Sequence, residues 1–123
     1  MARILLVDDD KPLLEMMQAT LAARGHEVTA TDDPVRAFIF LADALRPVPD
    51  LLISDVMMRG LDGLSLAKRV QNEERLKSLK ILIVTGSVSI DDSVKKAPYV
   101  AGFLSKPFLI DSFHLAVSAA LAK

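Results

Sequence analysis

The 123-residue chain contains no cysteine, which excludes a disulfide framework, a thiolate nucleophile and a cysteine-based zinc site. This absence is compatible with a cytoplasmic protein, the location that we expect. The net charge of −1 gives no general attraction to nucleic acid or to an anionic membrane, so we expect the chain to bind neither directly. No apolar run approaches the roughly 20 residues that cross a bilayer. A strand pattern begins by Arg3, which leaves no signal-peptide core before it.

Glycine is also scarce. With only 5 glycines and 51% hydrophobic residues, the composition is typical of a packed globule rather than of a disordered or fibrous chain. A chain of this length supports one domain, which we expect to span residues 1–123.

Four short apolar runs each end in a side chain that can take part in chemistry. The run Ile4–Val7 is followed by Asp8, Asp9 and Asp10, and Leu51–Ile53 leads to Asp55. Ile81–Val84 is followed by Thr85, and Gly102–Ser105 by Lys106. Runs of this kind are typical of strands that are buried on both faces of a parallel sheet. Because the carboxyl ends of such strands open onto one crevice, we expect these side chains to converge there.

Helical spacing of apolar residues separates five predicted strands, at residues 3–7, 26–31, 50–55, 79–84 and 100–105. The first predicted helix spans residues 12–24, with Asp10 as its N-terminal cap and Gly25 at its end. The second begins at Pro34 and buries Val35, Phe38, Ala42 and Leu45, and the third spans about residues 64–75. The fourth begins at Asp91 and is cut short by Pro98, and the fifth begins at Phe108 and buries Ile110, Phe113, Val117 and Ala120. Regular alternation predicts an α/β fold with one doubly wound five-stranded parallel sheet and helices on both faces.

Three of the carboxylates, those of Asp8, Asp9 and Asp55, would repel one another at such close range unless a cation lay between them. Magnesium fits this set, because it prefers oxygen ligands and commonly binds one or two carboxylates together with phosphate. Lys106 supplies a positive charge for a phosphate oxygen, and the Thr85 hydroxyl can donate a hydrogen bond to another. A carboxylate can be phosphorylated to an acyl phosphate, and Asp55 is the best placed to be the nucleophile.

Each of these residues also has an ordinary structural interpretation. Asp10 and Asp62 are more simply explained as turn formers or helix caps. Taken alone, Thr85 could equally be an ordinary strand-end residue, and a lysine such as Lys106 is more often a solvated charge. The proline after Lys106 favours the functional interpretation, because a cis peptide bond there would aim the lysine side chain. Together the residues are far more specific than any one of them.

These motifs strongly resemble the receiver domain of two-component response regulators, over essentially the whole chain. The motifs that carry the resemblance are the acidic run Val7-Asp8-Asp9-Asp10, the segment Asp55-Val56-Met57-Met58, the hydroxyl of Thr85, and Lys106-Pro107-Phe108. The resemblance implies the strand order 2-1-3-4-5 and a phosphoryl group that passes to Asp55 from a histidine kinase or phosphotransfer protein. It also implies that Asp9 binds Mg²⁺ directly, Asp8 largely through water, and Met57 through its backbone carbonyl.

The same resemblance implies a conformational switch made by Thr85 and the aromatic residue Phe103. The switch would alter a surface made by the fourth helix, the fifth strand and the fifth helix, which would contact a downstream target or an output domain and could form a dimer. Such a domain catalyses only its own phosphorylation and dephosphorylation. The chain departs from the family pattern at Arg59, Met57, Ser87 and the Pro98-Tyr99 pair, so the loop after Asp55 and the fourth helix are the least typical regions.

Two other functions remain open at this point. One is a degenerate receiver that acts as a constitutive protein-interaction scaffold. The other is a small Mg²⁺-dependent phosphohydrolase, although that class needs a second acid two residues after the nucleophile and this chain has Met57 there. His26 and His114 are isolated in the sequence, so we expect structural or surface roles for both.

Overall fold

The computed structural model describes residues 2–56, 63–86 and 100–123, and it confirms the predicted fold class. A five-stranded parallel sheet has the order β2-β1-β3-β4-β5. Its strands are β1 (Arg3–Val7), β2 (Glu27–Thr31), β3 (Leu51–Ser54), β4 (Lys80–Thr85) and β5 (Val100–Ser105). The described helices are α1 (Lys11–Ala23), α2 (Pro34–Ala42), α3 (Gly63–Gln71), a 3₁₀ turn (Glu74–Leu76) and α4 (Ile110–Leu121). The five strands lie within one residue of their predicted bounds.

The core consists of two layers, one on each face of the sheet, because successive strand residues point to opposite sides. Ile4 and Leu6 of β1 face α1 and α4, and Leu5 and Val7 face α2 and α3. Strands covered on both faces in this way need apolar residues at every position, which explains the unbroken apolar runs in the sequence.

The structure confirms the predicted caps at both ends of α1. The Asp10 side chain accepts a hydrogen bond from the backbone N–H of Leu13 at 3.2 Å, and Gly25 has a φ of +89° just after the helix. Only glycine adopts that left-handed conformation at no steric cost. The helix ends one residue earlier than predicted, at Ala23.

The predicted buried side of α2 is wrong except at Phe38, which is partly buried and packs against the core. The helix starts at Pro34 as expected, but Val35 and Leu45 are exposed and the buried residues are Pro34, Ala37 and Leu41. Of its nine residues only Arg36 is polar, so the apolar spacing does not define one face. The helix also stops at Ala42, where Asp43 takes over as cap and accepts a hydrogen bond from the N–H of Leu45.

Arg75 fixes this end of α2 from the far side of the same layer. Its guanidinium donates hydrogen bonds to the backbone carbonyls of Leu41 and Arg46. The carbonyl groups in the last turn of a helix have no partner within the helix, so a donor of this kind stabilises the turn. Arg75 itself lies in the 3₁₀ turn, since α3 ends at Gln71 rather than near residue 75 as predicted.

The last helix was also partly mispredicted. Phe113, Val117 and Ala120 are buried as expected, but Ile110 is half exposed. His114 is buried instead and pairs with Thr20 of α1, with 2.8 Å between its Nε2 and the threonine Oγ1. The helix predicted from Asp91 to Pro98 lies outside the described residues. Among those that are described, no helix is long and apolar enough to span a membrane.

Candidate functional site at the carboxyl edge of the sheet

The backbone brings four of the predicted site residues to one edge of the sheet. The strands are in register there: Val7 lies opposite Thr31 and Ser54, and Thr85 lies opposite Ser105. Hydrogen bonding continues one residue beyond three strand ends, from the N–H of Asp8 to Thr31, from Asp55 to Val7 and from Lys106 to Thr85, at 2.9–3.3 Å. The side chains that follow the strands therefore start from fixed backbone positions.

Lys106 connects two of the acids directly. Its Nζ lies 2.8 Å from Asp8 Oδ2 and 2.6 Å from Asp55 Oδ2. Asp8 and Asp55 are buried, with 1% and 6% of their surface exposed, and the lysine side chain is 18% exposed. The Lys106–Pro107 peptide bond is cis. One ammonium group thus bridges two carboxylates that water barely reaches, which is a strong charge-assisted contact.

The pKa values of Asp8 and Lys106 are both raised, but for different reasons. Burial raises the pKa of Asp8 above its usual 3.8, although hydrogen bonds from Lys106 and from the Asp10 amide oppose the shift. Burial alone would lower the pKa of Lys106, but its hydrogen bonds to Asp55 and Asp8 outweigh burial and raise it above 10.5. Lys106 is therefore protonated at neutral pH, and the single positive charge is shared between two acids.

Asp9 adds a third carboxylate to the same place. One carboxylate oxygen from each of Asp8, Asp9 and Asp55 lies within 4.8 Å of the others, a spacing that could hold a metal ion. Three hard oxygen donors suit Mg²⁺. Asp8 already accepts one hydrogen bond at each oxygen, from the Asp10 N–H and from Lys106. Asp9, by contrast, is partly exposed. The carbonyl of Met57 lies outside the described residues.

Thr85 and Phe103 occupy different surroundings. Thr85 is buried at the end of β4, and its carbonyl accepts the Lys106 N–H. Phe103 is half buried in β5, opposite Ile83, and packs against the core layer that contains α2 and α3. Thr85 thus lies at the carboxyl edge, joined to Lys106 through its backbone, while Phe103 lies within the sheet, two residues before the end of its strand.

The sequence did not indicate two features of this edge. The amide of Asp10 binds Asp8, a contact that depends on backbone direction rather than on residue type. A cavity of about 420 Å³ also opens beside Lys106, and its lining is mainly apolar. The residues that line it are Asp10, Leu13, Met16, Lys106, Pro107 and Phe108.

Comparison with known proteins agrees with this geometry. Residues 4–118 match the family described as the response regulator receiver domain. The chain belongs to this family. A receiver domain is a signalling domain of two-component systems rather than a classical enzyme. In this chain the domain consists of a parallel sheet with clustered acids at its carboxyl edge.

Related receiver-containing proteins come from diverse bacteria. The chain is 33% identical to response regulator PleD of Caulobacter vibrioides over 108 residues, which cover 86% of this chain and 23% of PleD. It is 33% identical to response regulator MprA of Mycobacterium leprae over 122 residues, or 98% of this chain and 51% of MprA. This receiver domain therefore spans about half or less of these curated relatives.

A solved structure gives the same fold. The chemotaxis protein CheY4 of Vibrio cholerae superposes with a TM-score of 0.84 and 30% sequence identity, and the match covers 98% of each chain. A match of this extent places all five strands of the receiver sheet in a common arrangement.

Proposed function

We propose that residues 1–123 form one receiver domain that accepts a phosphoryl group at Asp55. The donor is a phosphohistidine on a sensor histidine kinase or phosphotransfer protein, and the step depends on Mg²⁺. The observation that carries this proposal is the contact of Lys106 with both Asp8 and Asp55, beside a third acid within 4.8 Å. Three carboxylates this close repel one another, and a divalent cation between them would relieve the repulsion.

In the proposed reaction, a carboxylate oxygen of Asp55 attacks the phosphorus of the phosphohistidine. The new P–O bond forms as the P–N bond breaks, and the imidazole leaves. Lys106, whose Nζ lies 2.6 Å from Asp55 Oδ2, binds a phosphoryl oxygen through its ammonium group, because its raised pKa keeps it charged. Thr85, buried at the adjacent strand end, donates its hydroxyl hydrogen to another phosphoryl oxygen.

Asp9, Asp55 and the Met57 carbonyl are the proposed direct ligands of Mg²⁺, and Asp8 contacts it through water. When bound, the ion would neutralise part of the negative charge on the transferred group, which is most of what phosphoryl transfer needs. The clustering of the three carboxylates within 4.8 Å supports this assignment.

Phosphorylation replaces the single negative charge of the Asp55 carboxylate by a phosphoryl group with a charge of about −2, and this change biases the domain between two packings. In the proposed switch, Thr85 moves toward the phosphoryl group and Phe103, now half buried, turns inward. The altered surface comprises β5, α4 and the residues between 87 and 99, which lie outside the described part of the chain. It would contact a downstream protein or an output domain and could mediate dimerisation, and we place this signalling in the cytoplasm.

Intact-mass spectrometry after incubation with a small acyl phosphate tests the proposal. We expect one added phosphoryl group in the presence of Mg²⁺, its loss on chelation, and its location at Asp55 after proteolysis. Asp55→Asn should prevent the addition. Asp43→Asn is the matched control. Asp43 lies at the end of α2, where it accepts the Leu45 N–H and pairs with Arg46 on the surface, and asparagine can accept the same hydrogen bond from Leu45.

Three results would contradict the proposal. Equal phosphorylation of wild type and Asp55→Asn would place the phosphoryl group elsewhere. No phosphorylation under any condition would favour a constitutive scaffold. Sustained release of phosphate from a phosphate ester, at many turnovers per protein, would favour a phosphohydrolase.

A further inference from the structure

Asp10 is the acid next to the proposed metal site, and it is not one of the three clustered carboxylates. Its side chain turns the other way, toward α1, and accepts a hydrogen bond from the Leu13 N–H at 3.2 Å. Its carbonyl accepts the Leu14 N–H at 2.9 Å, which is the first hydrogen bond of the helix. Asp10 therefore anchors the chain to α1 through both side chain and backbone.

The same residue also holds a site acid. Its backbone N–H donates to Asp8 Oδ1 at 2.9 Å, while Lys106 donates to the other oxygen of Asp8. Asp8 is in turn tied to β2, because its N–H donates to the Thr31 carbonyl. The contacts of Asp10 with α1 fix the direction of its backbone N–H. One of the two hydrogen bonds to Asp8 therefore depends on those contacts.

Asp9 lies between these two anchored residues. Its carboxylate is partly exposed, and no hydrogen bond or ion pair of its side chain is seen among the described residues. The direction in which it points is therefore set mainly by its neighbours. Asp8 is fixed by the sheet and Lys106, and Asp10 by the first turn of α1.

We propose that Asp10 is a positioning residue for the metal site: by capping α1 it aims the Asp8 and Asp9 carboxylates at the bound Mg²⁺. This inference rests on the proposed function, which supplies the ion. Asp10 acts through its side-chain hydrogen bond to the helix and not through its negative charge. Loss of the cap lets the first turn fray, so Asp9 samples directions that do not meet the ion and the affinity for Mg²⁺ falls.

The chain provides a matched control in Asp33. Asp33 caps α2 as Asp10 caps α1, with its Oδ1 accepting the Val35 N–H at 2.9 Å and a proline in the first turn of the helix. It also follows a strand end at the same edge of the sheet, but it is not among the clustered acids. Asp33→Ala and Asp10→Ala should each lower the melting temperature by about 3–6 °C. Only Asp10→Ala should weaken Mg²⁺ binding.

Two further variants separate the cap from the charge. Asp10→Asn keeps an oxygen that caps the helix and removes the charge, whereas Asp10→Glu keeps the charge but caps poorly. Calorimetric titration with MgCl₂ should show affinity about fivefold weaker for Asp10→Ala and Asp10→Glu. Asp10→Asn and Asp33→Ala should stay within about twofold of wild type. Phosphorylation of Asp10→Ala by an acyl phosphate should recover at saturating Mg²⁺, because the defect is in metal affinity.

Either of two results would overturn the inference. Equal Mg²⁺ affinity in Asp10→Ala and Asp33→Ala would make Asp10 an ordinary cap. Weak binding by Asp10→Asn with normal binding by Asp10→Glu would show that its charge matters and its cap does not. If the wild-type protein itself does not bind Mg²⁺, the metal step of the proposed function fails and this inference fails with it.

Discussion

Replacing Lys106 by methionine tests the electrostatic balance of the site most severely. Methionine keeps an apolar stem of similar length but removes the ammonium group that contacts both Asp8 and Asp55. Removing one partner of a buried ion pair costs about 3–5 kcal/mol. Because 18% of the lysine side chain is exposed and water screens the acids in part, we expect a loss near the lower end, about 3 kcal/mol.

Urea denaturation followed by circular dichroism measures this loss. With a slope of about 1–3 kcal/mol per molar for a small domain, the midpoint should fall by about 1–3 M. Lys77→Met is the matched control, since the Nζ of Lys77 lies 2.8 Å from Glu74 Oε2 but the two side chains are 57% and 88% exposed. That variant should lose less than about 0.5 kcal/mol.

The loss should depend on pH with a definite sign. Without Lys106, the already raised pKa of Asp8 rises further, so the folded state keeps a proton that the unfolded chain has released above pH 3.8. Folding stability of the variant therefore falls as pH rises above that value, and its difference from wild type widens toward neutrality. In wild type, the Lys106 contribution is complete below pH 10.5 and disappears as pH rises through its raised pKa. A loss no larger than that of Lys77→Met, or one that is independent of pH, would refute the reasoning.

Three smaller predictions concern residues away from the site. Burial lowers the pKa of His26 below 6.5, and its Nδ1 accepts the Ala2 N–H. The contribution of His26 to folding stability should therefore be complete above pH 6.5 and lost as pH falls through the lowered pKa, which urea midpoints of wild type and His26→Gln across that range measure. Gly25→Ala should cost about 1 kcal/mol in urea denaturation, wholly from its φ of +89°, because no atom lies within 4 Å of the added Cβ; no loss would contradict this. Arg75→Ala should cost about 1–3 kcal/mol by freeing two backbone carbonyls, and Arg75→Lys, which cannot span both, should recover less than half.

The sequence was most informative where one residue type has one physical use. The strand bounds at Val100–Ser105 were predicted without error, and the caps Asp10 and Gly25 were predicted from residue types that favour helix ends. The convergence of Asp8, Asp55 and Lys106 followed from the rule that parallel strands share one carboxyl edge. These features depend on local chemistry and on strand polarity, both of which can be inferred from the order of residues.

Features that depend on three-dimensional packing could not be predicted in this way. Nearly every residue of α2 is apolar, so its spacing could not show that Ala37 and Leu41 are buried while Val35 is exposed. His114 is buried because Thr20, 94 residues earlier in the chain, supplies a hydrogen-bond partner. Likewise, the sequence could not show which carboxylates Lys106 contacts, because that depends on distances between atoms in the folded chain.

The central claim is that acids which repel one another are kept close because together they hold a divalent cation and a phosphoryl group. Beryllofluoride, which mimics a phosphoryl group on a carboxylate, tests it most directly when ¹⁵N–¹H spectra are recorded with and without Mg²⁺. We predict that beryllofluoride shifts the amides of Asp8, Asp9, Asp55, Thr85 and Lys106 together in the presence of Mg²⁺, beyond any change that Mg²⁺ causes alone. It should not do so without Mg²⁺ or in Asp55→Asn. Unchanged spectra, or an equal change in Asp55→Asn, would contradict the account.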